Sequence, residues 1–346
     1  MKIIHVIFSL ANGGAENLLA DIINEQALHH NVSLLIVNNK VDTGLVNRIH
    51  KKVKIFRFDR EPGKFSFKIF LRINLCIWKI SPDYIHCHNE NLIGLLFPIF
   101  WGKTGLTLHD TFLKETNLKY LPLYHHLFAI SKAVQLYGKK ISGLDFILNY
   151  NGVDSTAIPS RKSEIRSNPF RIVQVSRLVH EKKGQDILIK AIFELERAGY
   201  GVEVDFIGEG DSEIYLQQLV RQFKLEKTIR FLGNLQRSEV YQLLPHYDLL
   251  IQPSLYEGFG LTIAEAMMAK VPVLTSNLEG PVEIIQYGKY GYLFDVGNVP
   301  ELTEKIRYII DNYKEVWETN IKAQQYAKDN FDVRGTALRY LDLYNN

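Results

Sequence analysis

Cysteine is nearly absent from this chain: Cys76 and Cys87 are the only two in 346 residues. Two cysteines cannot build a disulfide framework, so a reducing cytoplasm is the expected compartment. "HCH" (86–88) places two imidazoles on one strand face, but no further cysteine–histidine set completes a zinc site. A structural or acceptor-side role is expected for it instead. No run approaches the roughly 18 apolar residues that crossing a bilayer requires. The N-terminal "MKIIHVIFSLANGGAE" has a short apolar run and no small-residue cleavage site of the signal-peptide kind. The first glycine-bearing turn, "ANGGAE", is not the G-x-G-x-x-G of an NAD(P) dehydrogenase. Nor is there a D-x-D, the usual carboxylate pair for holding a metal–diphosphate.

A hydrophobic fraction of 46% with 23% charged residues describes a chain able to bury a sizeable core, at a length that suits two domains. The net charge of +3 hides an asymmetry. Residues 1–165 hold 20 Lys and Arg against 13 Asp and Glu, and the remainder holds 21 against 25. A basic half joined to an acidic half implies different partners for each. The basic surplus suits an anionic surface and is modest for a nucleic-acid binder, so no nucleic-acid partner is expected.

Short β-rich runs alternate with helical patterns along both halves. "KIIHVIFSL", "VSLLIV", "VKIFRF", "DYIHCH", "GLTLHD", "HLFAIS" and "DFILNYNGV" come first. "FRIVQVSRL", "VEVDFIGEG", "TIRFLGN", "DLLIQPS", "VPVLTSN" and "GYLFDV" follow a polar stretch, "PSRKSEIRSNP" (159–169), expected to be weakly ordered. Such alternation implies βαβ units on parallel sheets. The expected architecture is α/β, with two Rossmann-like doubly wound domains, residues 1–160 and 166–330, facing a central cleft. Residues 331–346 continue a helical tail expected to pack back toward the first domain. In such sheets ligands bind at the carboxyl ends of the strands.

The most informative stretch is "PSLYEGFGLTIAEAMMAKVPVL", 253–274. On one reading Thr262 caps a helix and Glu265 is the acid of a capping box. On the other, amides around Phe259, Gly260, Leu261 and Thr262 bind a diphosphate at the helix N-terminus. Glu265 then accepts ribose hydroxyls and Glu257 binds hydroxyls of a second sugar. "VSRLVHEKKGQDILIKA" places Arg177 after a strand and Lys183 beside Gly184. A guanidinium and an ammonium from one loop suit a diphosphate, although a solvated basic loop looks the same, and Lys182 is an alternative contact. "IGEG" (207–210), with Gly208, is a third strand-end turn.

Taken together, Arg177 with Lys183-Gly184, "IGEG", and Glu257-Gly-Phe-Gly-Leu with Glu265 resemble retaining glycosyltransferases of the GT4 family, which have the GT-B fold. "GGAE" (13–16), "YNGVD" (150–154) and "GPVEIIQYGKYGYLF" resemble further segments of that family. The resemblance implies an N-terminal acceptor-binding domain and a C-terminal donor domain for a nucleotide-diphosphate sugar, a UDP-sugar by expectation. Arg177 and Lys183 would hold the diphosphate, Glu265 the ribose and Glu257 the transferred sugar. Gly13 and Gly14 would let the first-domain loop approach the diphosphate or acceptor. His109, in "GLTLHDTF", matches a family histidine near the reacting carbon, with Asp110 as a candidate to orient its ring. The implied activity is hexosyl transfer with retention to a glycan or lipid-linked hydroxyl in bacterial surface-polysaccharide, lipopolysaccharide or capsule synthesis. Neither metal nor cofactor is expected. The alternatives are a nucleotide-sugar epimerase or phosphorylase of the same architecture, or a non-catalytic nucleotide-sugar-binding partner.

One stretch lies outside that pattern. In "KFSFKIFLRINLCIWKI" (64–80) at 100° per residue, Lys64, Lys68, Arg72 and Lys79 share an arc of roughly 80°, and most of the rest is apolar. It reads either as a sheet-packed helix with one solvated stripe, the usual arrangement in α/β domains, or as a helix on an anionic membrane surface.

Overall fold

The computed structural model describes residues 1–11, 13–111 and 113–344. The chain forms two compact units, Met1–Val153 joined by the residues from Phe331 on, and Asp154–Asn330.

The first unit is a seven-stranded sheet. Its strands are β1 (Lys2–Ile7), β2 (Asn31–Asn38), β3 (Lys54–Arg60), β4 (Tyr84–Cys87), β5 (Thr104–Leu108), β6 (His126–Ala129) and β7 (Ile147–Leu148). Their order is β3-β2-β1-β4-β5-β6-β7, with every pairing parallel. The six-stranded second sheet holds β8 (Phe170–Val175), β9 (Val202–Ile207), β10 (Ile229–Phe231), β11 (Leu249–Gln252), β12 (Val273–Ser276) and β13 (Tyr292–Phe294). Its order is β10-β9-β8-β11-β12-β13, again parallel throughout. Each of the thirteen strand-like runs in the sequence supplies one strand.

Both sheets are doubly wound, and helices on both faces are why the central strands are buried along their length. β4, β5, β11 and β12 are buried at every residue. The last two elements are the helices Tyr313–Phe331 and Val333–Tyr344. The second of these completes the first unit. Its Val333, Ala337, Tyr340 and Tyr344 join Ile3, Leu18, Ile22 and Phe128 in one buried cluster. Tyr344 stacks on Tyr84 with ring centroids 4.0 Å apart.

The polar stretch 159–169 differs from expectation. Arg161 is buried and pairs with Asp248, itself fully buried. Its guanidinium also donates to the carbonyls of Ser163, Ile165 and Tyr247. Asp248 accepts the amides of Ser167 and Arg171 as well. A buried charge must be paired and hydrogen-bonded, and this network ties residues 161–167 into the second unit. The stretch looks like a linker because its partner lies 87 residues away in the chain.

Candidate functional site

In each sheet the strand order reverses at one point, β1/β4 in the first unit and β8/β11 in the second, and ligands of doubly wound folds bind outside the strand ends there. At the second reversal two loops are zipped together. Lys182 O accepts the amides of Leu255 and Tyr256 at 2.9 and 3.3 Å. Gly184 sits at φ +66°, where a Cβ would lie 2.0 Å from the carbonyl oxygen of Pro253, so only glycine allows that approach. Gln174 Nε2 holds the carbonyl of Lys183 at 2.8 Å. These contacts bring Lys183 Nζ to 2.6 Å from Glu257 Oε2, with the side chains 14% and 16% exposed. Ser254 Oγ also donates to Glu257, at 3.4 Å.

Arg177 is exposed, and its guanidinium makes no hydrogen bond or ion pair among the described residues. It is a cation left open to solvent, six residues before one already paired with a carboxylate. Gly208, at φ +133°, lies against this loop. A Cβ there would come within 2.0 Å of Ser176 O, and Leu178 donates its amide to Glu209 O. The "IGEG" turn is thus stacked on the segment that carries Arg177.

The helix Leu261–Met268 follows, with Gly260 as its N-cap and no side-chain cap. The capping-box reading of Thr262 and Glu265 is therefore corrected: the helix begins one residue before Thr262. Its first-turn amides, those of Leu261 and Thr262 among them, lack intrahelical acceptors. Phe259, the residue before Gly260, is buried. Glu265 is 7% exposed, and its Oε1 accepts from Tyr241 Oη at 2.9 Å and faces Arg237 Nε at 3.4 Å. Arg237 and Tyr241 were not singled out in the sequence. They belong to the helix Arg237–Leu243, whose pattern alone is that of an ordinary surface helix. The structure brings Lys183, Glu257 and the Gly260 turn together at one strand-end site, and fixes Glu265 in the same segment.

In the first unit, Gly13 and Gly14 are the N-cap and first residue of the helix Gly14–Gln26, immediately after the β1 loop. Gly13 has extended backbone, φ −144°, and the atoms nearest a methyl group placed there would all be those of the Glu16 carboxyl group. A cavity of about 300 Å³ opens at the ends of β1, β4 and β5, lined by Ser9, Glu16, His88, Asn89, His109 and Asp110 among others.

His109 terminates a line of imidazoles. Gln26 Oε1 accepts from His5 Nε2 at 2.7 Å, so His5 Nδ1 is unprotonated and accepts from His88 Nε2 at 3.0 Å. His88 Nδ1 in turn accepts from His109 Nε2 at 3.5 Å. A neutral imidazole has one donor and one acceptor nitrogen, so His109 Nδ1 is left as an acceptor. It is buried and has no partner among the described residues. Burial pushes the pKa values of His5 and His109 down to about 4, with the Asp110 charge opposing at His109. Burial, reinforced by the neighbouring imidazoles, holds His88 well below its ordinary value too. The expectation that Asp110 orients the ring is corrected: the ring is held by His88, and Asp110 Oδ1 accepts the Thr111 amide. His86 serves the fold. Its nitrogens meet Tyr344 Oη at 2.5 Å and Thr107 Oγ1 at 2.7 Å, which fastens the last helix to β4 and β5. Among the described residues no group of three or more His, Cys, Asp or Glu stands together as metal ligands.

The chain is similar to known proteins in sequence and fold. A glycogen synthase of Mycobacterium tuberculosis is 29% identical over 210 residues, 61% of this chain and 50% of its own. The chain thus spans half the length of that relative. The O-antigen biosynthesis glycosyltransferase WclY of Escherichia coli is 24% identical over 371 residues, covering 100% of this chain and 98% of its own. Anabaena HepE, solved in complex with UDP and glucose, matches in fold with a TM-score of 0.84 at 24% identity over the whole of both chains. The family described as Glycosyl transferases group 1 matches residues 156–329, just over half of the chain and nearly all of the second unit. The chain belongs to that family, whose GT-B fold its two doubly wound sheets share.

Proposed function

We propose that the chain transfers a hexose, with retention of anomeric configuration, from a UDP-sugar to a hydroxyl of a glycan or lipid-linked glycan in the assembly of a bacterial surface polysaccharide. The observation that carries this reading is the meeting of Lys183, Glu257 and an uncapped helix turn at the β8/β11 reversal, with Arg177 open to solvent on the loop that carries Lys183. The solved HepE complex with UDP and glucose supports a uridine diphosphate donor, and the O-antigen role in WclY's name supports the polysaccharide context.

In the second unit, Arg177, Lys183 and the amides of the Gly260 turn receive the diphosphate. Fixed cations and helix-end amides take the place of a metal ion, favouring negative charge as the anomeric C–O bond breaks. The bond's electron pair stays on the diphosphate. Glu257 and Glu265 accept sugar and ribose hydroxyls, Glu265 being held for that task by Tyr241 and Arg237. The acceptor oxygen bonds to the anomeric carbon on the face the diphosphate vacates, and its proton passes to a diphosphate oxygen. In the first unit the 300 Å³ cavity takes a sugar, with His109 Nδ1 accepting one of its hydroxyls.

A panel of UDP-, GDP- and ADP-sugars, screened for protection against thermal unfolding and then for transfer, tests the proposal. A true donor at a hundred times its dissociation constant adds about 2.7 kcal/mol. Failure of every nucleotide sugar to protect would overturn it.

A further inference from the structure

The helix Phe67–Ile80 buries one side only, through Ile73, Asn74 and Ile77. The outward side of a helix on an α/β sheet is ordinarily polar. Here it carries Phe67, Leu71, Leu75 and Trp78, exposed by 63, 37, 58 and 63%, with Phe65 just before it at 72%. At 100° per residue those four apolar side chains fall in an arc of roughly 80°, and Lys68, Arg72 and Lys79 fill the adjoining roughly 40°. No acidic residue occurs between Glu61 and Asp83.

Beside the helix runs a groove of about 700 Å³, open along the starts of β1, β2 and β3. Among the described residues six cations line it, Lys2, Lys52, Lys54, Arg57, Arg72 and Lys79, and no carboxylate does. Its walls between them include Phe56, Phe58, Leu75 and Ile80. All six cations are exposed. Among the described residues, the one ion pair that any of them makes is Arg57 with the exposed Asp59, at 3.4 Å. Two chemistries therefore lie side by side on one surface, an apolar and aromatic stripe the length of a helix and a concave field of positive charge.

We propose that this face is a docking site for an anionic phospholipid bilayer, with Phe67, Leu71, Leu75 and Trp78 entering the headgroup layer and the groove cations meeting lipid phosphates. Interfacial helices carry this combination, and cations near an anionic surface add to apolar burial. Tryptophan and phenylalanine beside lysine suit a boundary that is apolar on one side and wet on the other. A second copy of the chain is a poor occupant. A two-fold contact would set the same patch against itself, with six cations facing six. A nucleic acid would use the cations and leave the leucine-bearing stripe in water. The chain lies on the membrane rather than through it, because among the described residues no helix is long and apolar enough to cross one.

The surface is read without donor or acceptor, so this inference stands or falls separately from sugar transfer. The full chain is floated with vesicles of phosphatidylcholine alone and of phosphatidylcholine with phosphatidylglycerol, at low and high salt. Trp78 emission is followed against a Trp78→Phe control. Binding to the anionic vesicles is expected to exceed that to neutral ones by at least about tenfold at low salt, to fall at high salt, and to bring a blue shift. Lys54→Glu/Arg72→Glu and Leu71→Ser/Leu75→Ser are each expected to weaken it by at least about tenfold, with far-ultraviolet dichroism and thermal unfolding unchanged. Equal binding to both vesicle types, binding unaffected by either double variant, or retention on heparin without any vesicle binding would each overturn the proposal.

Discussion

Replacing Lys183 by Met is the most direct test of the strand-end site, because it removes the charge and keeps a flexible, unbranched apolar stem. The ion pair with Glu257 is 2.6 Å long and mostly screened from water, the two side chains being 14% and 16% exposed. It lies between an exposed pair, worth about 0–1 kcal/mol, and a buried one whose disruption costs about 3–5 kcal/mol. After the substitution the Glu257 carboxylate retains Ser254 Oγ at 3.4 Å, so a loss of about 1–3 kcal/mol is expected. In a unit of roughly 150–250 residues that lowers the midpoint by about 2–12 °C. Glu257→Gln in the same background then recovers part of the loss, giving a coupling energy of about 0.5–3 kcal/mol. Ligand binding reads the second role of the same ammonium. A diphosphate competes with Glu257 for Lys183, so UDP affinity in Lys183→Met falls by about tenfold or more, and turnover by at least about tenfold, about 1.4 kcal/mol. Urea unfolding without ligand, calorimetric titration with UDP, and initial rates measure these three quantities. Wild-type stability together with wild-type UDP affinity in Lys183→Met would refute the site as described.

Three further outcomes follow from the same geometry. Gly184→Ala drives a methyl into the Pro253 carbonyl and loses about 2 kcal/mol or more, with weaker UDP binding. Gly199→Ala, also at positive φ but with nothing within 4 Å of the new methyl, loses only about 1 kcal/mol; equal losses in urea unfolding would refute the close approach. His5 and His109 titrate near 4 when folded, below the ordinary 6.5. The unfolded chain therefore takes up protons the folded chain refuses, and stability is intact above about pH 6.5 and declines toward pH 4. The slope is up to about 1.4 kcal/mol per pH unit for each histidine. His5→Gln should flatten the acid limb of a stability–pH profile, and an unchanged limb would count against the buried imidazole line. Transfer activity is expected to survive EDTA, and a strict loss restored by Mg²⁺ or Mn²⁺ would contradict fixed cations as the diphosphate's partners.

The limits of the sequence show best at individual residues. Gly184 stands out in the sequence only as the neighbour of Lys183, but what makes it indispensable is a carbonyl 69 positions later, at Pro253. Glu265 fits a capping box equally well until the helix start is known. Its hydroxyl partner, Tyr241, is 24 residues upstream, in a helix whose own pattern carries no sign of the contact. Asp110 follows His109 directly and is the natural choice to hold the ring. The ring instead reaches His88, whose link to His5 spans 83 residues.

The sequence by itself determined the thirteen strands, the two doubly wound units and the loops that carry Arg177, Lys183, Glu257 and Glu265. Strand burial, helix periodicity and glycine-bearing turns are properties of neighbouring residues, so they can be read along the chain. Only the tertiary structure decided which carboxylate pairs with Lys183, how Glu265 and His109 are held, that Arg161 anchors the polar stretch, and that an apolar stripe lies beside a groove lined by six cations. Those are contacts between residues distant in sequence, where burial demands a partner but does not say which one.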